Sequence, residues 1–368
     1  MTFSNYFNKF LLIAFMTSNS SVIGMNHSDL FENKNILVLG GTGYLGRAIV
    51  TEVLKYNPRS VTILSRDEVK IFYTTQLFKN NSKVHGVIGD IRDYECMLKA
   101  TRSIDIVFHV AALKRMDMLE SNIEEAIKTN VLGTINVFNA CIVNDVSKVL
   151  FISTDKASLP INAYGACKFI SEKIFTNYDT TKIKTKFIAT RFGNILESTG
   201  SVIPIFTEKI NKGEDIPLTD EKMTRFIVSK EEAVELMFNA LRYGIGGEIF
   251  VRRLPALRVI DLIEVLKTQY NGQNKIKLIG LRPGEKIHEV LINEFEMART
   301  YVFDNYFVIT PSFSYWLPSD FLDEEDVPQY IKRGRKVETA LMHNYSSSEE
   351  VVSRDELAKT FVRLGLFQ

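Results

Sequence analysis

Ile36-Leu37-Val38-Leu39 runs directly into Gly40-Gly41-Thr42-Gly43-Tyr44-Leu45-Gly46. A short apolar run, a cluster of glycines and a helical pattern over Tyr44–Lys55 predict a strand, a tight turn and a helix. Glycines spaced Gly40-x-x-Gly43-x-x-Gly46 let the backbone turn, approach a pyrophosphate and pack helix on strand. The helix N-terminus then offers free N–H groups to phosphates. The stretch therefore predicts a dinucleotide site at Gly40, Thr42, Gly43, Tyr44, Leu45 and Gly46. A tight turn without a ligand is the plainer alternative.

Working outward, strand-like runs alternate with helical patterns across the first half. Strands are expected at Ile36–Leu39, Val61–Leu64, Val84–Ile88, Ile106–His109, Val149–Ser153 and Lys186–Arg191. A long helix is expected over Ile123–Asn144, where Ala126, Ile127, Val131, Ile135 and Phe138 keep helical spacing. This alternation is the signature of βαβ units and a parallel sheet. The fold class is α/β, a doubly wound Rossmann sheet with a smaller C-terminal substrate domain. The second half is punctuated by Gly213, Pro217, Gly244, Gly247, Pro255, Pro283 and Gly284. The expected division is an extension at 1–33, a cofactor domain at 34–195 and a mainly substrate-binding domain at 196–368. Part of 226–255 is expected to return to the first domain.

The second strand ends at Ser65-Arg66-Asp67. A carboxylate at that tip suits the ribose of NAD, whereas Ser65 and Arg66 suit the 2′-phosphate of NADP. NADP is the expected cofactor, with Lys70 as a further cation. Gly89-Asp90-Ile91 follows the third strand and is placed to meet the adenine edge. Asp90 reads equally well as a helix N-cap.

Ser153-Thr154-Asp155-Lys156 closes the fifth strand, and Tyr164 and Lys168 follow at one helical turn's spacing. A tyrosine acting as a base at neutral pH needs stabilisation of roughly 4 kcal/mol. A neighbouring lysine and a cationic nicotinamide supply much of that. Asp155 and Lys156 add an acid and a base beyond what alcohol oxidation needs. Next to a fresh ketone, a base removes the acidic C–H proton while an acid helps the adjacent hydroxyl leave as water. That reading requires burial to raise the Asp155 pKa and lower that of Lys156. A surface ion pair at a strand end is the alternative.

The chain has 368 residues, 45% of them apolar, enough for a substantial core. A formal charge of +1 provides no global field for nucleic acid or an anionic membrane. Cys96, Cys141 and Cys167 show neither disulfide nor metal spacing, so no metal is expected and a reducing compartment fits. Phe10–Met16 follows Lys9 in a pattern like a secretory signal, yet is too short to span a bilayer. An upstream extension with a functional start at Met25 is the other reading, and a cytoplasmic location is expected. Asp320–Asp326 is expected to be a solvated acidic loop.

Further stretches make the chain recognisable: His109-Val110-Ala111-Ala112-Leu113-Lys114, Pro160-Ile161-Asn162-Ala163-Tyr164-Gly165-Ala166-Cys167-Lys168, Arg191-Phe192-Gly193-Asn194, Met223-Thr224-Arg225-Phe226, Gly247–Val251 and Arg282-Pro283-Gly284-Glu285-Lys286-Ile287-His288-Glu289. With the segments above, the chain resembles the extended short-chain dehydrogenase/reductases from about Asn35 onward. Within them it is most similar to the UDP-N-acetylglucosamine 4,6-dehydratases that invert carbon 5. The resemblance implies oxidation at carbon 4 by Tyr164 and Lys168, with Thr154 on the carbon-4 oxygen. It implies that Asp155 protonates the leaving carbon-6 hydroxyl and Lys156 removes the carbon-5 proton. Retaining relatives carry glutamate at the Lys156 position, and 4-epimerases lack the acid/base pair. It also implies Ala111, Ala112 and Lys114 beside the cofactor. Lys114, Glu120, Asn194, Arg225, Arg282 and Glu285 would lie around a UDP-sugar, the arginines suiting its diphosphate. Arg-Pro-Gly-Glu also reads as a capped turn leading into a helix. A homo-oligomer is expected. Glu197-Ser198-Thr199 departs from the Gly-Ser-Arg usual in relatives and bears on the sugar's identity. A 4-epimerase or reductase on the same scaffold, or a non-catalytic NADP-binding protein, are the competing readings.

Overall fold

A computed structural model describes residues 26–196, 198, 201–312, 327–338, 343–364 and 366–367. The signal-like run Phe10–Met16, Glu197, Thr199 and the acidic run Asp320–Asp326 lie outside the described residues.

Six strands expected from their apolar runs form within one residue of their expected ends. They are β1 (Asn35–Leu39), β2 (Ser60–Ser65), β3 (Val84–Ile88), β4 (Ile106–His109), β5 (Lys148–Ile152) and β6 (Lys186–Arg191). Further along come β7 (Asn194–Ile195), β8 (Ile216–Leu218), β9 (Thr224–Val228), β10 (Ile249–Arg252), β11 (Ala256–Arg258) and β12 (Ile276–Leu278). The last are β13 (Val290–Ile292), β14 (Thr300–Phe303), β15 (Tyr306–Ile309), β16 (Arg335–Lys336) and β17 (Tyr345–Ser346). The longer helices are α1 (Tyr44–Val53), α2 (Glu68–Leu77), α3 (Tyr94–Ala100), α4 (Gly133–Val143), α5 (Ala163–Thr176), α6 (Val202–Lys212), α7 (Lys230–Tyr243), α8 (Val259–Gln269) and α9 (Arg354–Arg363).

One ten-stranded sheet dominates, in the order β16-β14-β15-β10-β6-β5-β4-β1-β2-β3. From β10 to β3 the pairing is parallel, and β15, β14 and β16 add antiparallel strands at the β10 edge. Parallel strands covered on both faces must be apolar throughout, and β1, β4 and β5 are buried almost end to end. The strand order reverses between β1 and β4, the kind of switch point where α/β sheets open a ligand crevice. A smaller core joins Phe206 and Ile210 of α6, Leu262, Ile263 and Leu266 of α8, and Leu357 and Phe361 of α9.

The helix expected over Ile123–Asn144 is interrupted. An α-helical turn at Ile123–Ala126 passes into a π-helical segment, Ile127–Leu132, before α4. The stretch Ile123–Val143 is long and apolar enough to cross a membrane, and half of it is buried in this fold.

Candidate active site

The C-terminal ends of β1, β2, β3, β4 and β5 converge where the sheet order reverses. Gly40 has φ +81°, and a Cβ there would lie 2.8 Å from the Ala111 backbone. A Cβ on Gly46 would lie 2.5 Å from the Gly40 carbonyl oxygen. Gly43 caps α1 with no side-chain partner, leaving the first-turn N–H groups facing out of the turn. This cradle fits a pyrophosphate, with Ala111 beside it. Thr42 lies 3.3 Å from Ser65 through their hydroxyls, and Arg66 is exposed at the β2 tip. Asp67 is the N-cap of α2 and pairs with Lys70 at 2.9 Å, so Lys70 serves the helix end. Asp90 does not cap: Asp93 is the N-cap of α3. The Asp90 carboxylate accepts from Arg92 Nη2 at 2.6 Å. Burial pushes its pKa up, but the bonds and charge of Arg92 outweigh burial and hold it below the usual range. Ile91 is buried, against Gly133.

Beyond β5 the chain turns through a 3-10 segment, Asp155–Ala157, capped by the Thr154 hydroxyl. Asp155 is fully buried. Its Oδ1 accepts from Thr154 Oγ1 at 2.8 Å and from Lys156 Nζ at 3.0 Å. Asn162 caps α5 by accepting from the Gly165 amide at 2.7 Å. Gly165 sits in the first turn against the Lys156 carbonyl, where a Cβ would come within 2.3 Å of the oxygen. That contact brings Tyr164 beside Thr154, Asp155 and Lys156. Lys168, one turn on, donates to the Ile152 carbonyl at 2.7 Å and lies 4.3 Å from the Phe151 ring centroid.

The electrostatics reverse one expectation. Burial acts to lower the Lys156 pKa, but the charges of Asp155 and Glu289 win and raise it above the usual lysine value. Burial likewise acts to raise Asp155, yet Lys156, Thr154 and Arg225 bring it below the usual range. The resting pair is therefore Asp155 carboxylate and Lys156 ammonium, not the neutral acid and base. Burial pushes Tyr164 up to about 12, and Lys156 opposes this more than any other group. Lys168 is brought down to about 7, chiefly by burial.

Several expected substrate contacts are otherwise engaged. Glu120 Oε1 accepts from the Ala163 amide at 2.7 Å, so it secures the start of α5. Arg225 donates to the carbonyls of Thr224, Lys286 and Ile287 at 2.7, 2.9 and 3.1 Å, fixing the 286–289 segment. Asn194 lies in β7, paired alongside β9. Arg282 and Glu285 form a turn, their charged groups 4.0 Å apart. That turn leads into β13, not into a helix as Arg-Pro-Gly-Glu suggested. Its Gly284 carbonyl accepts from Asn162 Nδ2 at 2.8 Å, tying the turn to the α5 cap. Lys114 is exposed, and the preceding Leu113 is held by both ends of the Asn130 amide at 2.8 Å each.

Sequence reasoning assigned no part to Glu289 or to Arg191. Glu289 Oε1 lies 3.7 Å from Lys156 Nζ. Arg191, fully buried at the end of β6, pairs with Glu172 of α5 at 2.6 Å and with Glu296 at 2.9 Å. A charged residue closing an apolar strand was the available signal for Arg191. Glu289 closes a stretch already singled out, but only the fold brings it to Lys156.

The model of a family described as "Polysaccharide biosynthesis protein" matches residues 36–311. A UDP-N-acetylglucosamine 4,6-dehydratase (inverting) from Campylobacter jejuni is 37% identical over 335 residues, covering 89% of this chain and 97% of that protein. A UDP-glucose 4-epimerase from Rickettsia bellii is 38% identical, covering 92% and 98%. An uncharacterized membrane protein of Methanocaldococcus jannaschii is 42% identical, covering 77% and 88%. The crystal structure of Pen from Bacillus thuringiensis superposes with a TM-score of 0.82 at 34% identity, covering 92% and 99%. The glycine cradle, the β5 site and these relatives agree: the chain belongs to the polysaccharide biosynthesis protein family, with the inverting UDP-N-acetylglucosamine 4,6-dehydratases among its relatives, on the extended short-chain dehydrogenase/reductase fold.

Proposed function

We propose that the protein is an NADP-dependent 4,6-dehydratase of UDP-N-acetylglucosamine, or a close UDP-sugar, that inverts carbon 5. The broader kind, a nucleotide-sugar dehydratase or epimerase, is supported by relatives of both names. The observation that carries the finer reading is the buried Thr154–Asp155–Lys156 cluster beside Tyr164. Alcohol oxidation alone gives no use to a second acid and base at that position.

The glycine turn and α1 would hold the pyrophosphate, with Ser65 and Arg66 toward the 2′-phosphate. The bound nicotinamide supplies reversible two-electron oxidation at a sugar carbon. With the cationic nicotinamide bound nearby, Tyr164 would lose its own proton to solvent and, as the phenolate, take the carbon-4 hydroxyl proton, while Thr154 holds that oxygen. The resting Asp155–Lys156 pair differs from the reactive one by a single proton moved across a 3.0 Å contact. A sugar that excludes water from the pair favours the neutral form, because separated charges lose their solvation. Lys156 Nζ then accepts the carbon-5 proton while Asp155 donates to the carbon-6 oxygen, which leaves as water. The ion pair re-forms as this happens, and the hydride taken from carbon 4 is then returned to carbon 6 while a proton is delivered to the opposite face of carbon 5, leaving the 4-keto-6-deoxy sugar and the cofactor oxidised again.

Incubation with UDP-N-acetylglucosamine tests the reading by product mass. Loss of one water, with deuterium and inverted configuration at carbon 5 in early product formed in deuterium oxide, is expected. An unchanged mass with inversion at carbon 4 would make the chain an epimerase like its Rickettsia relatives.

A further inference from the structure

We propose that Glu289 is a positioning residue for Lys156, clamping its ammonium opposite Asp155 and setting how readily that amine gives up its proton. The inference rests on the dehydratase reading for Lys156's role, but its geometry stands alone.

Lys156 Nζ lies between two carboxylates, 3.0 Å from Asp155 Oδ1 and 3.7 Å from Glu289 Oε1. The Lys156 side chain keeps 16% exposure, whereas that of Glu289 keeps only 3%. The amine is reachable and its second counter-charge is buried. Glu289 is held from several sides. Its amide donates to Ser347 Oγ at 2.9 Å, and its carbonyl accepts from the Ser347 amide at 2.8 Å. Neighbouring His288 meets Thr224 Oγ1 at 2.9 Å, and Thr224 Oγ1 meets Ser347 Oγ at 2.6 Å. Such fixing is what a carboxylate needs to locate a long, flexible lysine.

The charges facing Glu289 are Lys156 and Asp155 from the turn after β5, Arg225 from β9 and Lys286 from its own segment, at 3.8 Å. Its Oε2 is buried without a hydrogen-bond partner among the described residues. Burial and the Asp155 charge push the Glu289 pKa up, while Lys156, Arg225 and Lys286 oppose them. Lys156 and Glu289 therefore lean on each other. Removing the carboxylate charge takes away a stabiliser of the ammonium, so the Lys156 pKa must fall.

The test reads the amine directly and needs no sugar. Wild type, Glu289→Gln and Glu289→Asp are labelled briefly with acetic anhydride at pH 9. Lys156 acetylation is measured by peptide mass spectrometry against an exposed lysine such as Lys55. A fall of one pKa unit raises the free amine about tenfold, so Glu289→Gln should label about tenfold faster. Glu289→Asp, which keeps the charge, should stay near wild type. Unchanged labelling in folded Glu289→Gln overturns the proposal. Should that variant not fold, Lys156→Met and Lys156→Met/Glu289→Gln replace it. The double variant should melt higher than the single, because it no longer buries a carboxylate that has lost one of the cations within 4 Å of it; no gain overturns the proposal. A wild type that releases no water from UDP-sugars would defeat the dehydratase reading and leave both measurements intact.

Discussion

At the scale of the residue, the proposed dehydratase chemistry rests on Asp155 and Lys156. Asp155→Asn preserves shape and the Thr154 contact but removes the acid. Water loss should slow by roughly two to four orders of magnitude, the usual worth of general acid–base catalysis. Reduced-cofactor absorbance on mixing with substrate should still appear, whereas Tyr164→Phe should suppress it. Normal turnover in Asp155→Asn would make the residue structural. On the NADP reading proposed above, Arg66 would meet the 2′-phosphate, which NAD lacks, with its exposed guanidinium. Arg66→Ala should weaken NADP by about 10- to 100-fold, the range for one hydrogen bond to a charged group. NAD affinity should hardly change in the same titration; equal losses would refute the assignment. The residues at 153–168 were legible because strand end, turn and helix start follow one another. The protonation of the pair was not, because it depends on the contact between the two groups in the folded chain and on Glu289 and Arg225, far away in sequence.

Among the elements, the start of α5 leaves little room for change. Gly165 packs its Cα against the Lys156 carbonyl, and Asn162 ties the same turn to Gly284. Gly165→Ala would drive a methyl into backbone that cannot rotate away. The helix must shift, moving Tyr164 from the pair, and a displacement of about 1 Å costs on the order of 10²-fold in rate. The variant should therefore lose turnover far more than it loses melting temperature; wild-type turnover would show that the contact relaxes. Strands β1 to β6 were legible because buried parallel strands are continuous apolar runs. The π segment was hidden, since Ala126, Ile127 and Val131 satisfy α spacing equally well. Within its widened turn the Asn130 carbonyl accepts from Ser171 Oγ of α5 at 2.7 Å and from Thr134 Oγ1 at 2.6 Å, and π-bulges are frequent at functional sites. The β14–β15 hairpin did leave a signal, Asp304-Asn305 between two apolar runs, with Asp304 at φ +50°.

Across the whole molecule, Arg191 joins three distant pieces: β6, α5 through Glu172, and the segment after β13 through Glu296. It also donates to the Leu291 carbonyl at 2.7 Å. Arg191→Leu would leave two buried carboxylates without their cation and should destabilise the fold by about 3–5 kcal/mol. Denaturant unfolding measures this, and Arg191→Leu combined with Glu172→Gln and Glu296→Gln should recover much of the loss. A single variant as stable as wild type would show that the cluster contributes nothing. The doubly wound half of the fold was legible from alternation alone. That residues 300–309 extend the same sheet was not, because strand partners so far apart leave no local pattern.

The sheet's own order also carries a consequence for synthesis. β6 gains its outer neighbour only when residues 249–252 have been made, and that neighbour waits in turn for residues 306–309. At about 5–20 residues per second, the β6 edge stands bare for roughly 3–12 s on the ribosome. An unpaired apolar strand is a template for joining another chain. For that interval the growing polypeptide presents a bare strand edge to neighbouring chains, and pairing with one of them is the misassembly that this sheet order invites.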